Sequence, residues 1–224
     1  MEIKQEHREW LTANIGNYEC AKNGYIRNLE LDDLKMYEHI YRTYLDANFI
    51  HPTAIIGDNV ILGDNNYIGA YCIIGDPAEH KKYWEYEEQI KDYGTLKIIQ
   101  KGQIKRVLVT IENNNIVTGL VTIDAGTEAI TTIGDNCFIM KHAHIGHDCL
   151  IHSNVTISCG AKIGGHSVIK EYSNIGLNAV LHQFSIIEQG CMIGASAFFK
   201  GTSKEFSKYA GVPAKYLSPN IIKK

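Results

Sequence analysis

The sequence predicts an all-β chain wound as a parallel β-helix, on the strength of two superimposed periodicities and one regular companion. Aliphatic residues recur every six positions in three in-phase blocks: Ile50 to Ile74, Ile111 to Ile123, and Ile133 to Ile193. The last block holds eleven consecutive members in strict register. Two residues before each aliphatic the side chain is small, as at Thr131, Cys137, Ala143, Cys149, Val155, Ala161 and Ser167. On a strand, positions i and i−2 face the same side, so each six-residue face offers one large and one small inward residue. That alternation suits a narrow triangular prism. Glycine often follows the aliphatic, as at Gly57, Gly134, Gly146, Gly164 and Gly176, where it is expected to ease a corner of unusual φ.

Three faces of six residues make a coil of eighteen, so residues eighteen apart stack about 4.8 Å above one another. Such a repeat is the first feature to establish, because it determines the whole architecture. It also places Cys72, Cys137, Cys149 and Cys191 at the small inward position, where cysteine behaves as a small hydrophobe. Cys20 and Cys159 lie off that phase.

Residues 1–48 carry no hexad. Within them, Leu31–Leu45 spaces its apolar residues at three and four, which predicts a helical arm packed on the prism or on a neighbouring subunit. Asp32 or Asp33 can cap that helix. The β-helix is expected over 49–203, interrupted at 76–108 by a charged, aromatic insertion that reads equally as a functional loop or a solvated excursion. A shorter break at 125–132 reads as a local loop. Residues 204–224 are expected to form a short helix, a turn and an extended end.

Composition bounds the function. The chain has 224 residues, 45% hydrophobic and 21% charged, with a formal charge of −3. A packed core is expected, and nothing in the overall charge attracts nucleic acid or anionic membrane. No apolar run approaches the ~20 residues of a membrane span, and the charged start lacks a signal-type apolar core. A cytoplasmic location with reduced thiols is the expectation.

The histidines concentrate the chemistry: six of ten fall between 142 and 182. His147 follows Ile145 by two positions and therefore lies on the surface of its coil. An imidazole titrates near neutral pH and suits a general base. Asp148 follows directly and is placed to orient the ring. Eighteen-residue stacking sets Gly165 level with His147 and His166 level with Asp148, so the Gly165 amide lies where an oxyanion would need a donor.

HAHIGHDC (142–149), GGH (164–166), AVLHQF (179–184) and IHPTAIIG (50–57) together resemble the UDP-N-acetylglucosamine acyltransferases that begin lipid A assembly. The resemblance covers roughly 50–198 apart from the insertion. It implies a left-handed β-helix of the hexapeptide-repeat class, a cytoplasmic homotrimer with sites between neighbouring prisms, and no permanently bound cofactor or metal. It implies further that His147 is the general base, Asp148 its support and the Gly165 amide the oxyanion donor. Lys82, His144, His166, His182 and Gln183 match positions that hold substrate. The donor would be an acyl carrier protein thioester or acyl-CoA, the acceptor a hydroxyl of a UDP-sugar, and the transfer direct.

The chain also departs from that family. It stops soon after the prism, where the family carries a larger helical domain, and its N-terminal arm is foreign to it. AGVPAKYL (210–217) is similar instead to the terminus of coenzyme A-dependent hexapeptide acetyltransferases, making Gly211, Ala214 and Lys215 candidate coenzyme contacts or simply a closing turn. Ala195 stands where the family has a glycine that admits a long acyl chain, which favours a shorter acyl group. An acetyl-CoA-dependent N-acetyltransferase on an amino sugar nucleotide therefore remains an alternative. A β-helix carbonic anhydrase is a further one, because His147 and His152 resemble its paired zinc ligands. A non-catalytic β-helix is a third.

Overall fold

The computed structural model describes residues 48–57, 59–78 and 108–221, and among these every regular element is a strand. The strands are short, mostly two or three residues, and through Phe199 pair with every third strand along the chain; the three sheets have nine, seven and six strands and are parallel except for a terminal hairpin. These are the three faces of a left-handed parallel β-helix. Face one carries Tyr67, Ile116, Phe138, Thr156, Asn174 and Met192 in outward register. Face two carries Ile73, Thr122, His144, Lys162, Val180 and Phe198. Face three carries Thr110, Thr132, Leu150, Val168 and Ile186.

The hexad is the inward side of these faces. Ile133, Ile139, Ile145, Ile151, Ile157, Ile163, Ile169 and Ile175 are each 0% exposed and stack as the core. The small companions beside them are buried too. Where they are serine, the hydroxyl bonds a corner carbonyl: Ser167 to Gly164 at 2.6 Å, Ser185 to His182 at 2.6 Å, Ser173 to Glu188 at 2.9 Å. A buried hydroxyl without such a partner would cost on the order of 1–3 kcal/mol.

Two expectations are corrected. Apart from Gly75 (φ 87°), the glycine after the aliphatic is not the residue with unusual φ. That conformation falls two positions later, at Asn136 (φ 56°), His142 (62°), Asp148 (58°), Asn154 (62°) and His166 (59°). The glycine is instead required by close approach of the next coil: a Cβ at Gly164 would stand 2.5 Å from the Gln183 nitrogen, and one at Gly176 2.7 Å from the Ala195 nitrogen. Second, the short C-terminal helix is absent. Ser207–Ala210 and Lys215–Pro219 form an antiparallel hairpin whose first strand adds to face one, Met192 opposite Lys208 and Ile193 opposite Tyr209. The last coil leaves an open sheet edge, and alternating SKYA and KYLSP satisfy its backbone groups, which a helix would not.

The N-terminal arm expected over 1–48 lies outside the described residues, apart from Asn48, and so does most of the 76–108 insertion. The flanks of the insertion are described. Face two runs through Asp76, face three resumes at Val109, and the Leu108 carbonyl accepts from Thr131 N–H at 3.2 Å. The insertion therefore leaves and rejoins the prism at the edge between faces two and three. Among the described residues no helix is long and apolar enough to cross a membrane.

Candidate active site

The edge between faces two and three is where the chemistry collects. Each turn of the coil passes it just after the face-two aliphatic. Successive levels present Gly146-His147-Asp148, Gly164-Gly165-His166 and His182-Gln183-Phe184. The strict register His144 opposite Lys162 and Ile145 opposite Ile163 puts His147 level with Gly165, as eighteen-residue stacking predicts. One coil earlier, the 125–130 loop leaves from the same edge.

Asp148 is the organising residue. Its side chain is fully buried, and its backbone N–H donates to Thr131 Oγ1 at 2.9 Å. Carboxylate Oδ1 accepts the N–H groups of Thr127 (2.8 Å), Glu128 (3.0 Å) and Ala129 (2.7 Å). Oδ2 accepts the Thr127 hydroxyl at 2.6 Å and lies 2.7 Å from His147 Nδ1. Burial alone would push this carboxyl upward. The bonds from Thr127, His147, Ala129 and Glu128 outweigh it and hold Asp148 well below the usual carboxylate range. The 125–130 loop is thus a cradle of three converging amides around an internal anion. Its only sign in the sequence is a four-residue departure from register, Ile123 to Ile145 spanning 22 residues.

An ionised carboxylate only accepts hydrogen bonds, so Nδ1 of His147 must be the donor and Nε2 carries the lone pair. The imidazole is about one-fifth exposed and packs over Gly165, where a Cβ would stand 2.8 Å from Nε2. The Gly165 N–H has no backbone acceptor among the described residues. On the edge between faces three and one the equivalent amide is bonded by a side chain of the next coil, as Asp135 N–H is by Ser153 Oγ at 3.0 Å. A lone-pair nitrogen beside a free amide donor is a base beside an anion hole.

The remaining candidates are placed as follows. His166 Nε2 lies 3.5 Å from Asp148 Oδ2, its ring edge-on to His147 at 5.0 Å and stacked on Phe184 at 4.6 Å. His144 stands on face two, Nδ1 2.8 Å from Thr122 Oγ1 and Nε2 3.8 Å from Asp124 Oδ2. His182 Nδ1–H donates to the Gln183 carbonyl at 3.0 Å, and Gln183 is exposed two coils above His147. Lys82 lies outside the described residues. Ala195 sits on the other edge of face two, where face one turns into it, so it is separated from His147 by the width of that face. Gly211 and Ala214 dock on Phe198: the Gly211 carbonyl accepts from Phe198 N–H at 3.1 Å, and Ala214 N–H donates to the Phe198 carbonyl at 2.7 Å. Their backbone groups close the last coil. Lys215 begins the final strand and is exposed.

Only one group of described residues, His147, Asp148 and His166, brings possible metal-ligand atoms together, within 4.8 Å. The Asp148 lone pairs there are already taken by amides, a hydroxyl and His147, which describes a hydrogen-bonded dyad rather than an open coordination sphere. His152 stands outside that group. It lies on the next edge with Nδ1 2.9 Å from Glu171, so within one chain the two histidines do not share a site.

Comparison with known proteins agrees with the resemblance read from the motifs. Residues 130–165 match the family described as bacterial transferase hexapeptide (six repeats). An acyl-(acyl-carrier-protein)–UDP-N-acetylglucosamine O-acyltransferase from Campylobacter concisus is 31% identical over 170 residues, covering 66% of this chain and 65% of that protein. The corresponding protein of Paraburkholderia phytofirmans is 38% identical over 105 residues, 47% of this chain and 34% of that one. The chain thus spans about a third to two thirds of the length of these relatives. The UDP-N-acetylglucosamine acyltransferase structure from Campylobacter jejuni superposes with a TM-score of 0.60 at 26% identity, over 77% of this chain and 66% of that chain. That from Bacteroides fragilis gives 0.66 at 24% identity, over 77% and 61%, and speaks to the fold alone.

Proposed function

We propose that this protein is an acyltransferase that moves an acyl group from a thioester to a hydroxyl of a UDP-sugar, with His147 as general base and no acyl-enzyme. The observation that carries the reading is the His147–Asp148 bond of 2.7 Å, which fixes Nδ1 as donor and leaves Nε2 as base above the Gly165 amide. The relatives named above are acyl carrier protein-dependent O-acyltransferases of UDP-N-acetylglucosamine, and they supply the substrate classes.

The step balances as follows. Nε2 takes the hydroxyl proton as the acceptor oxygen attacks the thioester carbonyl, and the Gly165 N–H receives the developing oxyanion. Asp148, already ionised, stabilises the imidazolium. Collapse breaks the C–S bond, and His147 returns the proton to the departing thiolate. General-base catalysis of this kind contributes about 10²–10⁴-fold, and positioning supplies much of the rest. The nearest thiol is no rival nucleophile. Cys149 points inward, burial pushes it up to about 12, and its Sγ–H donates to the Gly164 carbonyl at 3.3 Å.

His166, His182 and Gln183 on this edge and His144 on the adjoining face are assigned to acceptor or donor contact, and Lys82 is assigned to substrate contact by the resemblance alone. A homotrimer with sites between prisms completes the reading. The apolar side chains of Tyr67, Ile116 and Phe138, 39%, 48% and 38% exposed in one outward column of face one, are surface that an assembly would cover. Acyl-CoA is the alternative donor, with Ala195 and Lys215 as its contacts and a short acyl group favoured.

The test is acyl transfer by the purified protein beside His147→Ala. Acetyl and longer acyl donors on coenzyme A and on carrier protein are crossed with UDP-sugars bearing hydroxyl or amino acceptors, and bound metal is counted. Transfer that collapses in the variant supports the reading. Stoichiometric zinc with carbon dioxide hydration and no transfer sinks it.

A further inference from the structure

We propose that Thr127 is a positioning residue that decides which of two histidines Asp148 serves, holding the carboxylate to His147 and away from His166. The inference rests on the general-base reading for its kinetic consequence, but not for its geometry.

The 125–130 loop exists only because the chain takes 22 residues, not eighteen, between Ile123 and Ile145. Those additional residues add little to the core. Glu128, Ala129 and Ile130 are exposed, and ordering them costs backbone entropy. What the loop makes in return is a set of bonds to one side chain. Three amides converge on Oδ1, and one hydroxyl reaches Oδ2.

The two oxygens do different work. The amides on Oδ1 suffice to keep the carboxylate buried and ionised. Oδ2 is the oxygen that His147 uses, and His166 Nε2 approaches it at 3.5 Å. A carboxylate oxygen has two in-plane lone pairs. With Thr127 Oγ1 at 2.6 Å and His147 Nδ1 at 2.7 Å both are filled, and His166 is left beyond hydrogen-bond distance. Without the hydroxyl, one lone pair opens toward His166, only 0.8 Å farther away than the His147 nitrogen (3.5 against 2.7 Å). His166 cannot retreat easily, since its ring is stacked on Phe184 at 4.6 Å with 5° between planes. The carboxylate then divides its attention, and His147 loses the partner that fixes its tautomer.

Thr127→Val keeps the shape and removes the hydroxyl, while Thr127→Ser keeps the hydroxyl and removes the methyl. In the full chain with ¹⁵N-labelled histidine, the ring nitrogen shifts of His147 report which nitrogen carries the proton. Wild type and Thr127→Ser are expected to show a protonated Nδ1 and an unprotonated Nε2. Thr127→Val is expected to show nitrogens averaged between the two tautomers, with kcat about 10–100-fold lower and KM within about twofold. Should Val disturb folding, Thr127→Ala is read by the same shifts with the cavity open to water. A His147 tautomer that stays fixed in both Val and Ala overturns the proposal. So does averaging in Ser, which would give the role to the methyl. Absence of transfer by wild type under every donor and acceptor sinks the acyltransferase reading and leaves the tautomer result to decide this one.

Discussion

The imidazole of His147 lies over Gly165 so closely that a Cβ at position 165 would stand 2.8 Å from Nε2 and 2.9 Å from Cε1. Gly165 is not among the glycines with positive φ, so its backbone accommodates alanine and only the ring is in the way. Gly165→Ala is therefore expected to displace the base by several tenths of an ångström without unfolding the prism. Displacement on the ångström scale costs about 10²-fold in turnover. Turnover measured beside a thermal melt checks this. A melt unchanged with kcat intact would show that the ring is not held where it reacts.

Asp148→Asn separates charge from shape. The amide oxygen can still face the three loop N–H groups, but its NH₂ then points at Nδ1 of His147 and makes that nitrogen accept. The proton moves to Nε2 and the base is lost, with an expected fall of about 10²–10⁴-fold in kcat. Stability follows a definite pH course. The folded-state carboxyl titrates below its unfolded value of about 3.9, so its contribution is complete above that pH and fades as the pH falls further. The gap between wild type and Asp148→Asn, about 1–3 kcal/mol for the impaired buried bonds, should be constant from pH 7 to 5 and narrow below about 4. Urea unfolding across that range measures it, and a gap independent of pH would mean the charge contributes nothing.

Much of this geometry is legible in the sequence. The hexad located every face, and stacking by eighteen brought Gly165 to His147 and His166 to Asp148. What escaped is non-periodic. Thr127 is hidden because nothing in AGTEAITT distinguishes an anion cradle from a surface turn until Asp148 is set inside it. The terminal strand is not legible because KEFSKYA has acceptable helical composition, and only the open edge beside Met192 and Ile193 makes the strand preferable. Most corner glycines serve close approach rather than φ, because spacing locates a corner only to within two residues, and Asn, Asp and His at the left-handed position also tolerate that φ.

Leu120 occupies one of those left-handed positions, at φ 63°, with 44% of its surface exposed. A leucine there sets Cβ against the following carbonyl, at a cost of roughly 1–2 kcal/mol that asparagine partly escapes. Leu120→Asn is expected to stabilise the protein by up to about 1 kcal/mol. The equivalent position one coil later is already His142, at φ 62°. A denaturant midpoint that falls instead would show that the exposed Leu120 surface is covered by contacts worth more than the strain.

The thiols give the last prediction, and it bears on mechanism. Cys72, Cys137, Cys149 and Cys191 are buried, whereas Cys159 is half-buried. Burial pushes Cys137 up to about 11 and Cys149 up to about 12, so neither offers a thiolate near neutral pH. Iodoacetamide on the native protein should therefore label Cys159 while sparing these four, and label them only after denaturation, as peptide mapping would show. Cys149→Ser should keep its turnover, although Cys149 adjoins Asp148. Ser167 and Ser185 fill the same inward position on the next two coils and bond the carbonyls of Gly164 and His182, so the prism accepts a hydroxyl there. Loss of transfer in Cys149→Ser with a normal melt would move the chemistry from His147 to a thioester intermediate and overturn direct transfer.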